Sequence, residues 1–281
     1  MPFGSGPKGF FIMVEKKKIT VPDIVARKVR GEKIVMLTAY DYPFARIVDE
    51  AGIDIILVGD SLGTVVAGQK STLPVTLRDT IYHTQAVVRG VKNALVVADM
   101  PFLTYQTGKR DAIKNCGLAI KEGEAEAVKL EGGRHIADII SALVEIGIPV
   151  MGHVGLTPQS VNAFGGYRVQ GRSPETRKRV IEDALAVEKA GAFSVVLEGI
   201  PSDLAREITE QLKIPTIGIG AGPFCDGQVL VLHDMLGIFD DFQPTFVKRY
   251  TNVKEVALKA IRQYAEEVKS RKFPDEAHSY K

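Results

Sequence analysis

Eight short apolar runs, rich in Val and Ile and separated by amphipathic stretches, limit this chain to very few folds. They occupy residues 34–38, 55–59, 94–99, 127–131, 149–153, 194–198, 215–218 and 229–232. Continuous apolar character over four to six residues is the pattern of parallel strands buried on both faces. The intervening segments, among them 43–51, 76–89, 134–146 and 173–190, carry helical spacing. Strand and helix in strict alternation predict an α/β fold, and eight units predict a (β/α)8 TIM barrel. An open doubly wound sheet uses the same alternation. Its best support is the run GIGAGP, with Gly218, Gly220 and Gly222, but the run comes late and lacks the full dinucleotide spacing. Those glycines read either as a tight turn or as backbone amides facing a ligand anion.

Punctuation agrees with the periods. Gly52, Gly90, Gly147 and Gly191 follow helical segments just before strands, as left-handed caps would. Thr76 with Asp79 reads as a capping box, and Ser173 precedes Pro174 at a first-turn position. A front helix over 21–29 is expected to close the barrel floor, and 253–269 reads as a final amphipathic helix before a polar tail. No linker divides the chain, so residues 1–281 are expected to form one domain, with 1–18 a flexible extension and Met13 an alternative start.

Composition excludes several classes of function. Thirty-six Lys and Arg against 34 Asp and Glu leave a net charge of +2 with no basic stripe, which argues against nucleic acid. Every apolar stretch is interrupted well short of the roughly 20 residues a membrane span needs. Lys residues follow the N-terminal apolar patch where a signal-peptide cleavage site would stand. Cys116 and Cys225 lie far apart without metal-ligand spacing, so both are expected to be reduced packing residues of a cytoplasmic protein.

The chemistry gathers where the apolar runs end. Asp60 closes ILVGD, Asp99 closes VVAD, Lys129 and Glu131 stand in VKLEGG, and Glu198 closes VVLEG. In a parallel barrel, residues at the C-terminal ends of strands line the active-site rim. Each acid alone could be a helix N-cap, but three on consecutive strands favour a cation site. Oxygen donors without Cys or a His pair point to Mg2+ or a similar hard ion, with Asp60 and Asp99 as ligands and Glu131 adding one directly or through water. Lys129 and Glu131, two apart on a strand, share a face, so Lys129 can pair with a substrate carboxylate. A Schiff-base role for Lys129 is the rival, and the surrounding acids argue against it by keeping the amine charged. Glu198, expected across the barrel from the metal acids, suits a general acid or base. His153 is either a hydrogen-bond donor to a ligand or a structural residue, and Ser61 is either a donor to a substrate carboxylate or a turn serine. The Gly-rich polar segment 162–172 reads as a loop over one side of the site.

Several strings are distinctive as words. TAYDYPFA, VGDSLG with STLPVT downstream, ADMPF, VKLEGG, GHVGLTPQSVNAFGGYRVQGR, VLEGIP, and GIGAG with DGQVLVLHDMLG resemble the ketopantoate hydroxymethyltransferase family, in order from about residue 19 to the end. The resemblance implies a barrel of the phosphoenolpyruvate/pyruvate type. It implies transfer of a hydroxymethyl group from 5,10-methylenetetrahydrofolate to 3-methyl-2-oxobutanoate, giving 2-dehydropantoate for pantothenate and coenzyme A synthesis through a Mg-stabilised enolate. By motif, Asp60, Asp99 and Glu131 match the family's Mg2+ ligands. Asp60, Ser61, Asp99 and Lys129 match its oxo-acid contacts and Glu198 its proton acceptor, while His153 is a supporting candidate by its place at the strand end alone. A homo-oligomer, commonly a decamer, is also implied. The alternative enzyme is a metal-dependent carbon–carbon lyase of the isocitrate lyase or phosphoenolpyruvate mutase type. Such a lyase is expected to carry an added acid or nucleophile, often Cys, on a lid, where Cys116 is poorly placed.

Overall fold

The computed structural model describes residues 17–240 and 244–281, so the extension expected before Lys17 lies outside the described residues. Lys18, assigned to that extension by the sequence, is instead tied down. Its ammonium donates to the Ala94 carbonyl and lies 2.5 Å from Glu126 Oε2, and Ile19 N–H donates to Asn93 O at 2.7 Å.

From there the chain runs α1 (Val21–Arg30), β1 (Ile34–Thr38), α2 (Tyr42–Glu50), β2 (Ile55–Val58), α3 (Leu62–Val65), α4 (Leu77–Gly90), β3 (Leu95–Asp99), α5 (Lys109–Lys121) and β4 (Ala127–Glu131). It continues through α6 (Ala137–Glu145), β5 (Val150–Gly155), α7 (Val161–Phe164), α8 (Pro174–Lys189), β6 (Ser194–Glu198), α9 (Ser202–Gln211), β7 (Thr216–Ile219), β8 (Gly227–Leu230), α10 (Leu232–Met235) and α11 (Val253–Lys269). The eight strands are parallel and close on themselves in sequence order, β1 pairing with β8. This is the expected (β/α)8 barrel.

Two apolar layers follow from the strand period. Ile34, Met36, Ile55, Leu57, Leu95, Val97, Ala127, Met151, Val196 and Ile217 point inward and pack with Ile24 of α1, which plugs the floor. Their neighbours Ile56, Val58, Val96, Ala98, Val128, Leu130, Val150, Val195 and Leu197 point outward to the helices. Burying both faces explains why these strands show no polar alternation.

One local expectation is corrected and one is met. The β7–β8 connection is a turn: residues 220–226 return the chain with Gly220 and Gly222 at positive φ, seven residues being too few for a helix and two turns. Asp226 secures this return, accepting from Thr216 N–H at 2.9 Å and from Lys28 Nζ at 2.7 Å, and Phe224 lies under the Arg206 guanidinium. Gly52, Gly147 and Gly191 do adopt positive φ after their helices, but Gly90 remains helical inside α4. A Cβ there would stand 2.8 Å from the Tyr42 carbonyl and 3.0 Å from Ala45 Cβ, so Gly90 serves the close approach of α4 to α2.

Beyond the barrel, α11 has no buried residue, and Val256, Leu258, Ile261, Tyr264 and Val268 are exposed along it. No helix among the described residues is long and apolar enough to cross a membrane.

Gly90→Ala tests the α2–α4 contact, because two effects of opposite sign compete. Helix propensity favours Ala by about 1 kcal/mol, whereas overpacking against backbone costs about 1–3 kcal/mol. The contact is expected to win, lowering the urea midpoint; a raised midpoint would mean the helices separate freely.

Candidate active site

The period of two that fills the barrel with aliphatic side chains also sets what crowns it. Above inward Val97, Ala127, Met151 and Val196, the next inward positions are Asp99, Lys129, His153 and Glu198, with Glu131 one step above Lys129. Register aligns them: Asp99 stands opposite Lys129, Glu131 opposite His153, and Gly155 opposite Glu198. Asp60 and Ser61 follow β2 after Gly59. Asp60, Asp99, Lys129, Glu131 and His153 are all buried, and Glu198 is the most open member of the group.

Lys129 Nζ is the hub. It lies 2.7 Å from Asp99 Oδ1, 3.1 Å from His153 Nδ1 and 3.9 Å from Glu131 Oε1. The far side of the imidazole, Nε2, is 3.1 Å from Glu198 Oε2, while Nδ1 is also 3.5 Å from Glu131 Oε1. Glu198, on β6 across the barrel from Asp60, is linked to Glu131 and Lys129 through the His153 ring. Asp60 N–H donates to Asp99 Oδ2 at 3.1 Å. None of Asp60, Asp99 or Glu131 caps the helix that follows it.

Burial and crowding set the protonation of this cluster. Burial, then repulsion from Asp99 and Glu131, raises Asp60 well above the usual carboxylate range. Burial also raises Asp99, opposed by the Lys129 charge. For Glu131, hydrogen bonding to His153 and the charges of His153 and Lys129 outweigh burial and lower its pKa. Burial disfavours the Lys129 ammonium, but Asp99, Glu131 and Asp60 together raise its pKa, so it stays charged and is no free amine for Schiff-base chemistry. Burial and Lys129 push His153 down, while hydrogen bonds to Glu131 and Glu198 prevail and raise it to about 9. An Nδ1 proton would face the Lys129 ammonium at 3.1 Å, while Nε2 stands 3.1 Å from Glu198 Oε2 without an aligned hydrogen bond.

The donor set suits a hard cation. Four acids face one lysine and one histidine, and Asp99 Oδ1 and Glu131 Oε1 are buried with no aligned hydrogen-bond donor. Among the described residues, no three His, Cys, Asp or Glu side chains close into a ready-made metal cage. Mg2+ needs only one or two carboxylates, its remaining positions being filled by water and substrate oxygens.

Ser61 Oγ is 2.8 Å from the hydroxyl of buried Tyr40, so the serine is fixed to β1 instead of turning freely. In the segment 162–172, Gln170 N–H donates to Gly199 O at 2.9 Å, and burial, then the charges of Asp60, Glu198 and Glu131, raises the pKa of the half-exposed Tyr167. Sequence reading missed Gln159 and Tyr105, both buried among the acids. Gln159 belongs to the distinctive string GLTPQS, but nothing local marks its partners. Cys116 is buried on α5, its thiol pushed up to about 12, and Cys225 is buried in the β7–β8 return, so neither supplies a rim thiol.

Known proteins were compared with this chain. The family model described as ketopantoate hydroxymethyltransferase matches residues 18–276. The 3-methyl-2-oxobutanoate hydroxymethyltransferase of Geobacter metallireducens is 59% identical over 264 residues, 94% of this chain and 99% of that protein. Its counterpart from Moorella thermoacetica is 56% identical over 269 residues, 96% and 100% of the two chains. Among solved structures, 2,3-dimethylmalate lyase, a PEP mutase/isocitrate lyase superfamily member, superposes with a TM-score of 0.59 at 18% identity, covering 93% and 92%. Phosphonopyruvate hydrolase in complex with oxalate and Mg2+ gives 0.59 at 13%, covering 92% and 93%. These two likenesses speak to the barrel alone.

Replacing Lys129 by Met leaves buried carboxylates without their counter-charge. Breaking such a pair costs about 3–5 kcal/mol, or a fall on the order of 10 °C in the melting temperature of the metal-free protein. An unchanged melting temperature would show that Lys129 does not neutralise the acids.

Proposed function

The chain belongs to the ketopantoate hydroxymethyltransferase family, and on that premise we propose that it transfers a hydroxymethyl group from 5,10-methylenetetrahydrofolate to 3-methyl-2-oxobutanoate, giving 2-dehydropantoate. The observation that carries this reading is the pairing of a charged Lys129 with excess buried acid, beside a carboxylate, Glu198, held by His153. A 2-oxo acid brings a carboxylate for the lysine, and its C3 proton needs a base.

In this reading Asp60 and Asp99 would hold a Mg2+, with Glu131 adding a contact directly or through water; when bound, the metal supplies a Lewis acid for the keto and carboxylate oxygens. Lys129 and Ser61 hold the substrate carboxylate, Lys129 by charge and Ser61 by its hydroxyl, which Tyr40 fixes. Glu198 removes the C3 proton, with His153 Nε2 3.1 Å from the carboxylate that receives it. Water adds to the folate one-carbon unit and its carbon–nitrogen bonds break, releasing tetrahydrofolate and formaldehyde; the C3 carbanion equivalent bonds to that carbon, and the new alkoxide takes up a proton to become the hydroxymethyl group. The loop 162–172, carrying Tyr167, covers the folate side. The cytoplasm is the proposed setting, in keeping with two buried free thiols.

We also propose that the enzyme works as a homo-oligomer, with a second copy covering the apolar face of α11, and a decamer is the assembly expected for the family. That face repeats at helical spacing through Ile261, Tyr264 and Val268, all exposed in the single chain. Ile261→Asp is expected to yield a smaller sedimenting species with the same far-ultraviolet circular dichroism. An unaltered sedimentation coefficient would remove α11 from the contact.

A proton NMR time course in D2O with 3-methyl-2-oxobutanoate, Mg2+, tetrahydrofolate and formaldehyde tests the chemistry. A new hydroxymethyl signal, absent with EDTA, is expected. C3 deuteration without that signal would point to the lyase alternative. Glu198→Gln should slow C3 deuteration at least about 100-fold while oxo-acid affinity changes little; equal loss of both would give Glu198 a binding role.

A further inference from the structure

Gln159 sits in the one-turn helix 158–160 that follows β5, far in sequence from everything it touches. Its amide nitrogen donates to Asp60 Oδ2 and to the Met100 carbonyl, both at 3.0 Å. Its amide oxygen accepts from the Tyr105 hydroxyl at 3.1 Å and from Gln106 Nε2 at 3.2 Å. Two donors and two acceptor sites are all that a carboxamide has, so every one is used. The opposite orientation would set the amide oxygen against a carboxylate and a carbonyl, with no hydrogen between them. The partners therefore decide which way the amide points. The same residue's backbone N–H donates to Glu131 Oε2 at 3.0 Å. Tyr105 completes the bracket: it accepts from Glu131 N–H at 3.0 Å and shares its one hydrogen between the Glu131 carbonyl, at 2.9 Å, and Gln159.

We propose that Gln159 is a positioning residue of this site, holding one oxygen of Asp60 and one of Glu131 so that the remaining oxygen of each faces the metal and the oxo acid. The inference rests on the reading of Asp60 and Glu131 as carboxylates of the metal and substrate site. A free carboxylate can rotate and offer either oxygen, or both. With Oδ2 committed to the Gln159 amide, Asp60 offers Oδ1; with Oε2 committed to the backbone, Glu131 offers Oε1, the buried oxygen that meets no aligned donor. Partners of this kind orient metal-ligating groups, and losing them weakens metal affinity by about 10–100-fold.

The test is a Mn2+ titration of the full chain without substrates, read by the EPR signal of free Mn2+, beside melting temperatures taken without metal. Gln159→Met keeps the volume and removes the hydrogen bonds, whereas Gln159→Ala removes both. The expected result is a similar loss of Mn2+ affinity in the two variants, about 10–100-fold, with the metal-free Gln159→Met protein melting close to the parent. Affinity that follows volume, near parental for Met and weak for Ala, would overturn the proposal in favour of simple packing. So would a lowered melting temperature with Mn2+ affinity within twofold of the parent. If Gln159→Met does not fold, Gln159→Ala decides by the same ratio of affinity to melting. A parent chain that takes up no Mn2+ would overturn the metal reading and this inference together; tight uptake by parent and variants alike would overturn the inference alone.

Discussion

The two-residue period of a strand inside a closed barrel governs both halves of this molecule. On the floor side the inward positions are Ile, Leu, Val, Ala and Met, sealed by Ile24 of α1. One or two steps further along the same strands, the inward positions are Asp99, Lys129, Glu131, His153 and Glu198. The apolar layer denies the charged layer access to water from below, and that is why the charges must satisfy one another. Adjacent strands cannot slip by one residue without turning the acids outward against the helices, so the register of the sheet and the chemistry of the site are one constraint.

Much of this was legible because it is local. A strand's inward face, the end of an apolar run and a glycine at positive φ are all written within five or six residues, and β1, β4, β6 and α11 begin and end where the pattern places them. The rim residues were legible for the same reason: Lys129 and Glu131 differ by two on one strand, and parity alone puts them on one face. What escaped depends on distant partners. The hydrogen bonds of Gln159 span 28 residues to Glu131 and 99 to Asp60, and no period or motif chemistry announces such a link. Gly90 looked like a cap because it precedes a strand, yet the contact that requires it is with Tyr42 on another helix.

Electrostatics explains why so compact a cluster includes a lysine. Buried carboxylates with no cation would take up protons, and the raised pKa of Asp60 reflects that tendency. Lys129 relieves Asp99 and Glu131 at fixed positions without closing the site, since one ammonium leaves an excess of acid. A dication brings the charge nearer balance, whereas an anionic substrate alone would add to the excess, so net charge makes entry of the anion depend on the cation.

The loop after β5 joins these features. At its start, Gln159 grips Asp60 on the β2 side and Glu131 on the β4 side; near its end, Gln170 N–H bonds to Gly199 O, directly after Glu198 on β6. Tyr167 lies between those anchors, exposed enough to meet a ligand and close enough for the acids to act on its hydroxyl. A single polypeptide segment therefore carries both the amide that bonds Asp60 and Glu131 and the tyrosine above the end of β6.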